Sequence, residues 1–133
     1  MELTYDRLSC DELGGSTQAD LLVALDGRLR LNDDGAIVFD ETQFPVVELA
    51  RSLVLWLAAP GRPDFGFVSM SCDDGAISIL QDDRGWHFRS TFYADPLTGP
   101  VDWSEVERCC RNFIVKVRAD LQDLGLRPDQ LLR

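Results

Sequence analysis

The stretch Asp33-Asp34-Gly35-Ala36-Ile37 recurs, letter for letter, as Asp73 to Ile77, and Asp82-Asp83-Arg84-Gly85 is a third paired-aspartate turn with a late glycine. Paired carboxylates are the residues here with the most chemical potential, since they can hold a divalent cation or share a proton. A calcium loop, however, alternates its acids as D-x-D-x-D-G with a distant glutamate, and none of the three turns has that layout. Each turn lies between two runs of alternating apolar residues, where a late glycine supplies the positive φ of a hairpin connection. Asp73-Asp74 and Asp82-Asp83 flank one strand of about seven residues, which holds them on the order of 20 Å apart. The aspartates therefore read as electrostatic groups, and no metal or cofactor is expected.

Other candidates for catalysis are sparse. His87 is the sole histidine, and there is no G-x-S-x-G elbow, phosphate-binding glycine loop or H-E-x-x-H helix. Cys10, Cys72, Cys109 and Cys110 contain no C-x-x-C pair, so they read as free thiols, with Cys110 on the buried stripe of a helix. Solvated aspartates at hairpin tips make poor general acids. The chain reads as a non-enzyme.

The net charge of −10 is uneven: residues 1–83 hold 16 acids and 5 bases, whereas residues 84–133 hold 7 acids and 8 bases. Such a balance repels nucleic acid phosphates and favours a cationic protein partner. No apolar run approaches the roughly 20 residues of a membrane span, and the N-terminus lacks a basic start followed by an apolar stretch. A cytoplasmic location without membrane association is expected.

Hydrophobic periodicity supplies the elements that must carry these groups. Residues 1–8 offer a strand and residues 9–17 a loop. Residues 19–40 alternate and are cut by Asp26-Gly27 and by Asn32-Asp33-Asp34-Gly35, which predicts a three-stranded meander with Arg28 and Arg30 on its outer face. The period becomes helical over 42–59, with Thr42 as N-cap. Val46, Leu49, Ala50, Leu53, Trp56 and Leu57 form its apolar stripe, and Glu48, Arg51 and Ser52 its polar side.

A second meander, "FGFVSMS", "AISILQ" and "WHFRSTFY", occupies 65–93. Its last strand puts Trp86, Phe88, Ser90 and Phe92 on the core side and His87, Arg89, Thr91 and Tyr93 on the other. The final helix opens with Asp102 as N-cap, Glu105 at N3 and Val101 against Val106, and closes at Gly125 before Pro128. Residues 126–133 read as a loose tail or one short turn. The expected fold is a single α+β domain over 1–133, with an antiparallel sheet of about six strands in two β-meanders and two helices packed on one face.

Glu48-Leu49-Ala50 with Trp56-Leu57, the F-x-F-x-S run of Phe65, Phe67 and Ser69, and Trp86 with Ser90 together resemble small acidic bacterial proteins of the immunity-like kind found beside polymorphic toxin genes. The resemblance spans residues 19–124, mostly through core positions. It implies a cytoplasmic protein that masks a toxin's active site. The expected partner-binding residues are Asp33, Asp34, Asp73 and Asp74 at the tips, with His87, Arg89 and Tyr93 if the sheet face takes part. The alternative is an accessory or structural module that homodimerises through an open sheet face, so either a monomer or a homodimer is expected. Calorimetric titration with calcium, magnesium or manganese is expected to show no stoichiometric binding. A micromolar site lost on Asp73→Asn or Asp82→Asn would contradict the electrostatic role of the turns.

Overall fold

The computed structural model describes residues 1–6, 8–10, 18–69 and 74–132. The chain runs β1 (Glu2–Tyr5), β2 (Ser9–Cys10), α1 (Gln18–Ala24), β3 (Leu25–Asp33), β4 (Ala36–Phe44), α2 (Val46–Ala58), β5 (Phe65–Gly66), β6 (Ser78–Asp82), β7 (Gly85–Arg89), α3 (Trp103–Asp123) and α4 (Pro128–Leu131). The fold is α+β with antiparallel pairing throughout, as the periodicities imply. The strands are divided between two ladders. In the first, β4 pairs along one edge of the long strand β3, and β1 and β2 follow one another along its other edge. The second is β5-β6-β7. Its outer edge is lined by residues 97–101: Leu97 N–H donates to Phe88 O, and Trp86 and Val101 exchange both backbone bonds.

The turn chemistry at residues 33–36 is realised. Asp34 (φ 51°) and Gly35 (φ 81°) both take positive φ, the pairing that matches the twist of a two-residue hairpin. Asp26-Gly27, by contrast, is not a turn. Leu25, Leu29 and Leu31 are all buried in one continuous strand, and buried Gly27 stands opposite Phe44 at a register shift. The apolar alternation keeps its phase through Gly27, which a hairpin turn would have broken. The segment before it, expected as a strand, is the short helix α1.

Helix α2 starts later than its periodicity suggests, because Thr42 still belongs to β4; Pro45 takes the cap position and its carbonyl accepts from Leu49 N–H at 3.0 Å. All of residues 46–50 are buried. Glu48, expected on the polar side, is therefore inside, where Ser69 Oγ donates to its carboxylate. Helix α3 has the expected start: Asp102 Oδ1 accepts from Glu105 N–H at 3.0 Å, while the Glu105 carboxylate is held by Arg108 at 2.5 Å. Of the two alternatives for residues 126–132, the structure has the short turn, α4, and it is docked on the domain. Leu131 and Leu132 are buried, Gln18 donates to the Gln130 carbonyl at 3.0 Å, and Arg118 pairs with Asp129 at 2.9 Å.

Aromatic side chains join these parts. Phe44 stacks on Phe67 at 5.7 Å and meets Phe39 edge-on at 6.0 Å, carrying the core from the first ladder to the second. Trp56 of α2 touches Phe65, Trp86 and Trp103 at 5.3, 5.9 and 5.4 Å, so that all three tryptophans of the chain sit in one cluster. Tyr5 lies edge-on to Phe113, under Lys116, and donates to Asp120 at 2.5 Å.

Burial pushes the Tyr5 phenol well above its ordinary range, and the bond to ionised Asp120 adds to the effect; burial likewise pushes Cys109 up to about 11 and raises Cys110 further. Groups raised in this way keep their protons in the folded chain at a pH where the unfolded chain has lost them, so stability must fall as pH climbs past the ordinary thiol and phenol values of 9.0 and 10.0. Urea unfolding is expected to show that loss above about pH 9, with Tyr5→Phe removing part of the slope above 10. At neutral pH Tyr5→Phe should cost about 1 kcal/mol for its hydrogen bond, and Phe113→Ala roughly 3–5 kcal/mol for a core cavity.

Candidate functional site

The acidic turns are held in place by the ladders. Asp33 and Asp34 sit at the β3–β4 connection, Asp33 half-buried and Asp34 exposed. Asp74 is exposed in the turn before Gly75, whose N–H donates to Phe67 O at 2.9 Å and whose carbonyl accepts from Thr91 N–H at 3.0 Å. Its neighbour Asp73 lies outside the described residues. Asp82 and Asp83 stand at the far end of β6, and Asp95 is exposed in the segment after β7.

Tyr93 connects two of these regions. Its ring packs against Phe39 of β4 at 6.0 Å, and its backbone belongs to the turn that begins at Ser90 and passes Thr91, the partner of Gly75. At 42% exposure it offers an aromatic surface that is anchored at one edge, the combination from which binding anchors are made.

His87 and Arg89 are placed differently. His87 is half-buried, with Nε2 2.7 Å from Asp82 Oδ2 and Nδ1 3.4 Å from the Thr98 carbonyl. Arg89 donates to the Ala94 carbonyl at 3.3 Å. Residues 94–98 thus lie against the side of β7 that was expected to be open. Nor do Arg28 and Arg30 share a face with His87. They belong to the first ladder, where Arg28 grips Asp40 in a fork at 2.7 and 2.8 Å and Arg30 reaches Asp6 at 3.2 Å. A single open face combining the two groups does not exist, because the strands form two ladders.

Asp82 was not among the expected binding residues, yet it organises its hairpin. Its Oδ1 accepts from the N–H groups of Arg84 and Gly85 at 2.8 and 3.2 Å. The Arg84 N–H first, and then the His87 ring, hold its carboxyl below the usual carboxylate range. In sequence the signal was the third aspartate turn followed by the lone histidine, five residues on and across the hairpin.

The bases are largely spent on internal pairs. Arg28 and Arg30 are held by Asp40 and Asp6, Arg108 by Glu105 (2.5 Å), Arg111 by Glu107 (3.2 Å), Lys116 by Asp120 (3.2 Å) and Arg118 by Asp129 (2.9 Å). Asp33, Asp34, Asp74, Asp83 and Asp95 have no ion pair among the described residues. The surplus negative charge is therefore displayed on turns, while α3 and the outer face of the first ladder are internally neutralised. Among the described residues there is no cluster of three or more metal-ligating side chains, and no helix is long and apolar enough to cross a membrane.

An α+β domain of two small ladders with aspartate-capped turns is thus the frame within which any partner must be accommodated. The chain belongs to the family described as domain of unknown function DUF7878, whose profile matches residues 1–123. No curated protein and no solved structure matches it. The matched span contains both ladders and the helices α1 to α3, and stops before α4.

A group whose folded pKa is depressed stabilises the fold above its ordinary value and loses that contribution as pH falls through the depressed one. Asp82 should follow this rule, with an ordinary value of 3.8. Asp82→Asn is expected to lower the thermal midpoint at pH 6, with the difference from the parent protein shrinking as pH falls below 3.8. An unchanged difference at low pH would show that Asp82 acts through packing rather than charge.

Proposed function

We propose that this domain is a non-enzymatic protein-binding module that masks a cationic partner, in the manner of an immunity protein that covers a toxin. The observation that carries the proposal is the division of charge: most described bases are locked in internal pairs, whereas Asp33, Asp34, Asp74, Asp83 and Asp95, at separate turns, have no ion pair among the described residues. Exposed charge of one sign raises the encounter rate with a partner of the opposite sign, and unpaired groups give up no existing ion pair on binding. Tyr93 supplies the short-range anchor beside the Asp74 turn. The outer face of the first ladder suits a homodimer contact less well, because its arginines already form ion pairs with Asp6 and Asp40.

The full chain used as bait in an extract of its host is expected to capture a basic protein, and co-expression should protect cells from a toxin encoded beside its gene. With that captured protein, association should slow as salt rises past physiological strength, where the screening length drops below roughly 8 Å. Replacing Asp33, Asp34, Asp74 and Asp83 together by Asn should lower the association rate about tenfold, within the range that steering contributes. Tyr93→Ala should chiefly raise the dissociation rate. Association that is indifferent to salt and to the four substitutions would contradict masking by charge.

A further inference from the structure

Strand pairing leaves one long edge open. An edge strand presents a row of backbone N–H and C=O groups to which a further chain can pair, and proteins guard such edges by keeping them short, covering them, or placing lysine or proline on them. The other edges here are guarded. β2 and β5 have two residues each, β1 has four and lies beside α3, and the outer edge of β7 is lined by residues 97–101. β4 differs: it has nine residues, Ala36–Phe44, and extends over about 30 Å. Among the described residues it pairs with β3 alone, and no other strand or helix runs alongside it. Only Phe39 and Phe44 of its residues are buried, and it contains neither lysine nor proline.

The same stretch is acidic without exception. Residues 31–50 hold five acids and no base. Asp40 is held by Arg28 and Arg30 of β3, and Glu48 is buried. Asp33 and Asp34 at the end of β4 and Glu41 along it have no ion pair among the described residues. Register shifts between Gly27 and Leu29 and between Leu31 and Asn32 bound the regular part of the ladder, where Phe39, Asp40 and Glu41 oppose Leu31, Arg30 and Leu29 in step. A chain added to this edge is therefore in regular register across Phe39 to Glu41 and bends with the strand on either side.

We infer that the open edge of β4 takes an extended basic segment of the partner as an additional strand, paired through its main chain and matched in charge to Asp33, Asp34 and Glu41. The inference rests on the masking reading for the sign of the partner and adds the way in which it is held. Strand addition draws affinity from backbone hydrogen bonds and specificity from alternate side chains. A second copy of the chain fits this edge poorly, because β4 against β4 sets one base-free acidic stretch beside another, and like charges across a strand pair are destabilising.

The test uses the ¹⁵N-labelled full chain and a short capped peptide of alternating arginine and valine. The peptide is expected to move the amide signals of residues 36–44 saturably and to slow hydrogen exchange at those amides that face away from β3. The same peptide with every backbone nitrogen methylated should bind about tenfold more weakly, because it has lost its main-chain donors. A glutamate–valine peptide should leave the signals in place. Glu41→Lys, which reverses a charge and puts a lysine on the edge, should weaken binding of the arginine peptide roughly fivefold. Equal binding of the methylated peptide, or shifts confined to residues outside β4 and the Asp33-Asp34 turn, would overturn strand addition and leave masking by charge standing. Equal binding of the glutamate peptide would overturn both. The absence of any saturable shift with the arginine peptide would overturn the inference, as would pairing of β4 with a second copy, seen as concentration-dependent shifts in the protein alone. The peptide comparisons are made on the parent protein and hold even if Glu41→Lys fails to fold.

Discussion

The stacking of Phe44 on Phe67 couples two β-ladders that share no strand pairing among the described residues. Each ladder is only three strands wide, about the least that can be stable, and then only with an apolar face that is covered. The second has strands of two, five and five residues. They persist because β5 and β7 deliver Phe65, Trp86 and Phe88 to a core that α2 and the first ladder complete. Trp56 performs the same service from the helical side, reaching the second ladder and the start of α3 together. Burying whole aromatic side chains contributes roughly 1.5–3 kcal/mol each, so a few such contacts decide whether the two ladders behave as one body.

The charge distribution depends on that arrangement. Where helices and strands run side by side, acids and bases are brought within reach of each other, and they pair along α3 and across the outer face of β3 and β4. At the hairpin ends, Asp33, Asp34, Asp74 and Asp83 have no ion pair among the described residues, while Asp82 meets the His87 ring at 2.7 Å. Turn geometry requires glycine and tolerates aspartate at these positions, and the same residues that close the hairpins also leave the domain with an outward negative field.

Elements encoded by neighbouring residues were legible in the sequence. The Asp34-Gly35 turn, the β6–β7 hairpin and the Asp102 cap of α3 each depend on four or five consecutive residues. What escaped depends on distant partners. Asp26-Gly27 has turn composition, but Leu25, Leu29 and Leu31 face a common core and hold the chain extended through it. Glu48 has surface composition, but the helix enters the core at its first turn and Ser69 answers the carboxylate. Leu131 and Leu132 follow a helix stop that reads as the end of the domain, yet they fill space beside α1. Among the candidate residues, the aspartates at the tips could be named from turn chemistry. The partners of His87 and Arg89 could not, because Asp82 and residues 94–98 meet them only across the folded hairpin.

The central claim is that aromatic contacts bind the two ladders into one rigid support for the acidic turns, and native-state hydrogen exchange tests it most directly. The amides of Leu29 and Leu31 in the first ladder and of Ile79 and Phe88 in the second should open with the same free energy, equal to that of global unfolding. Phe67→Ala should lower all four together. Exchange of Ile79 and Phe88 through a separate, less stable opening, with Leu29 and Leu31 still protected, would contradict the claim and leave the Asp33-Asp34 and Asp74 turns on independently moving parts.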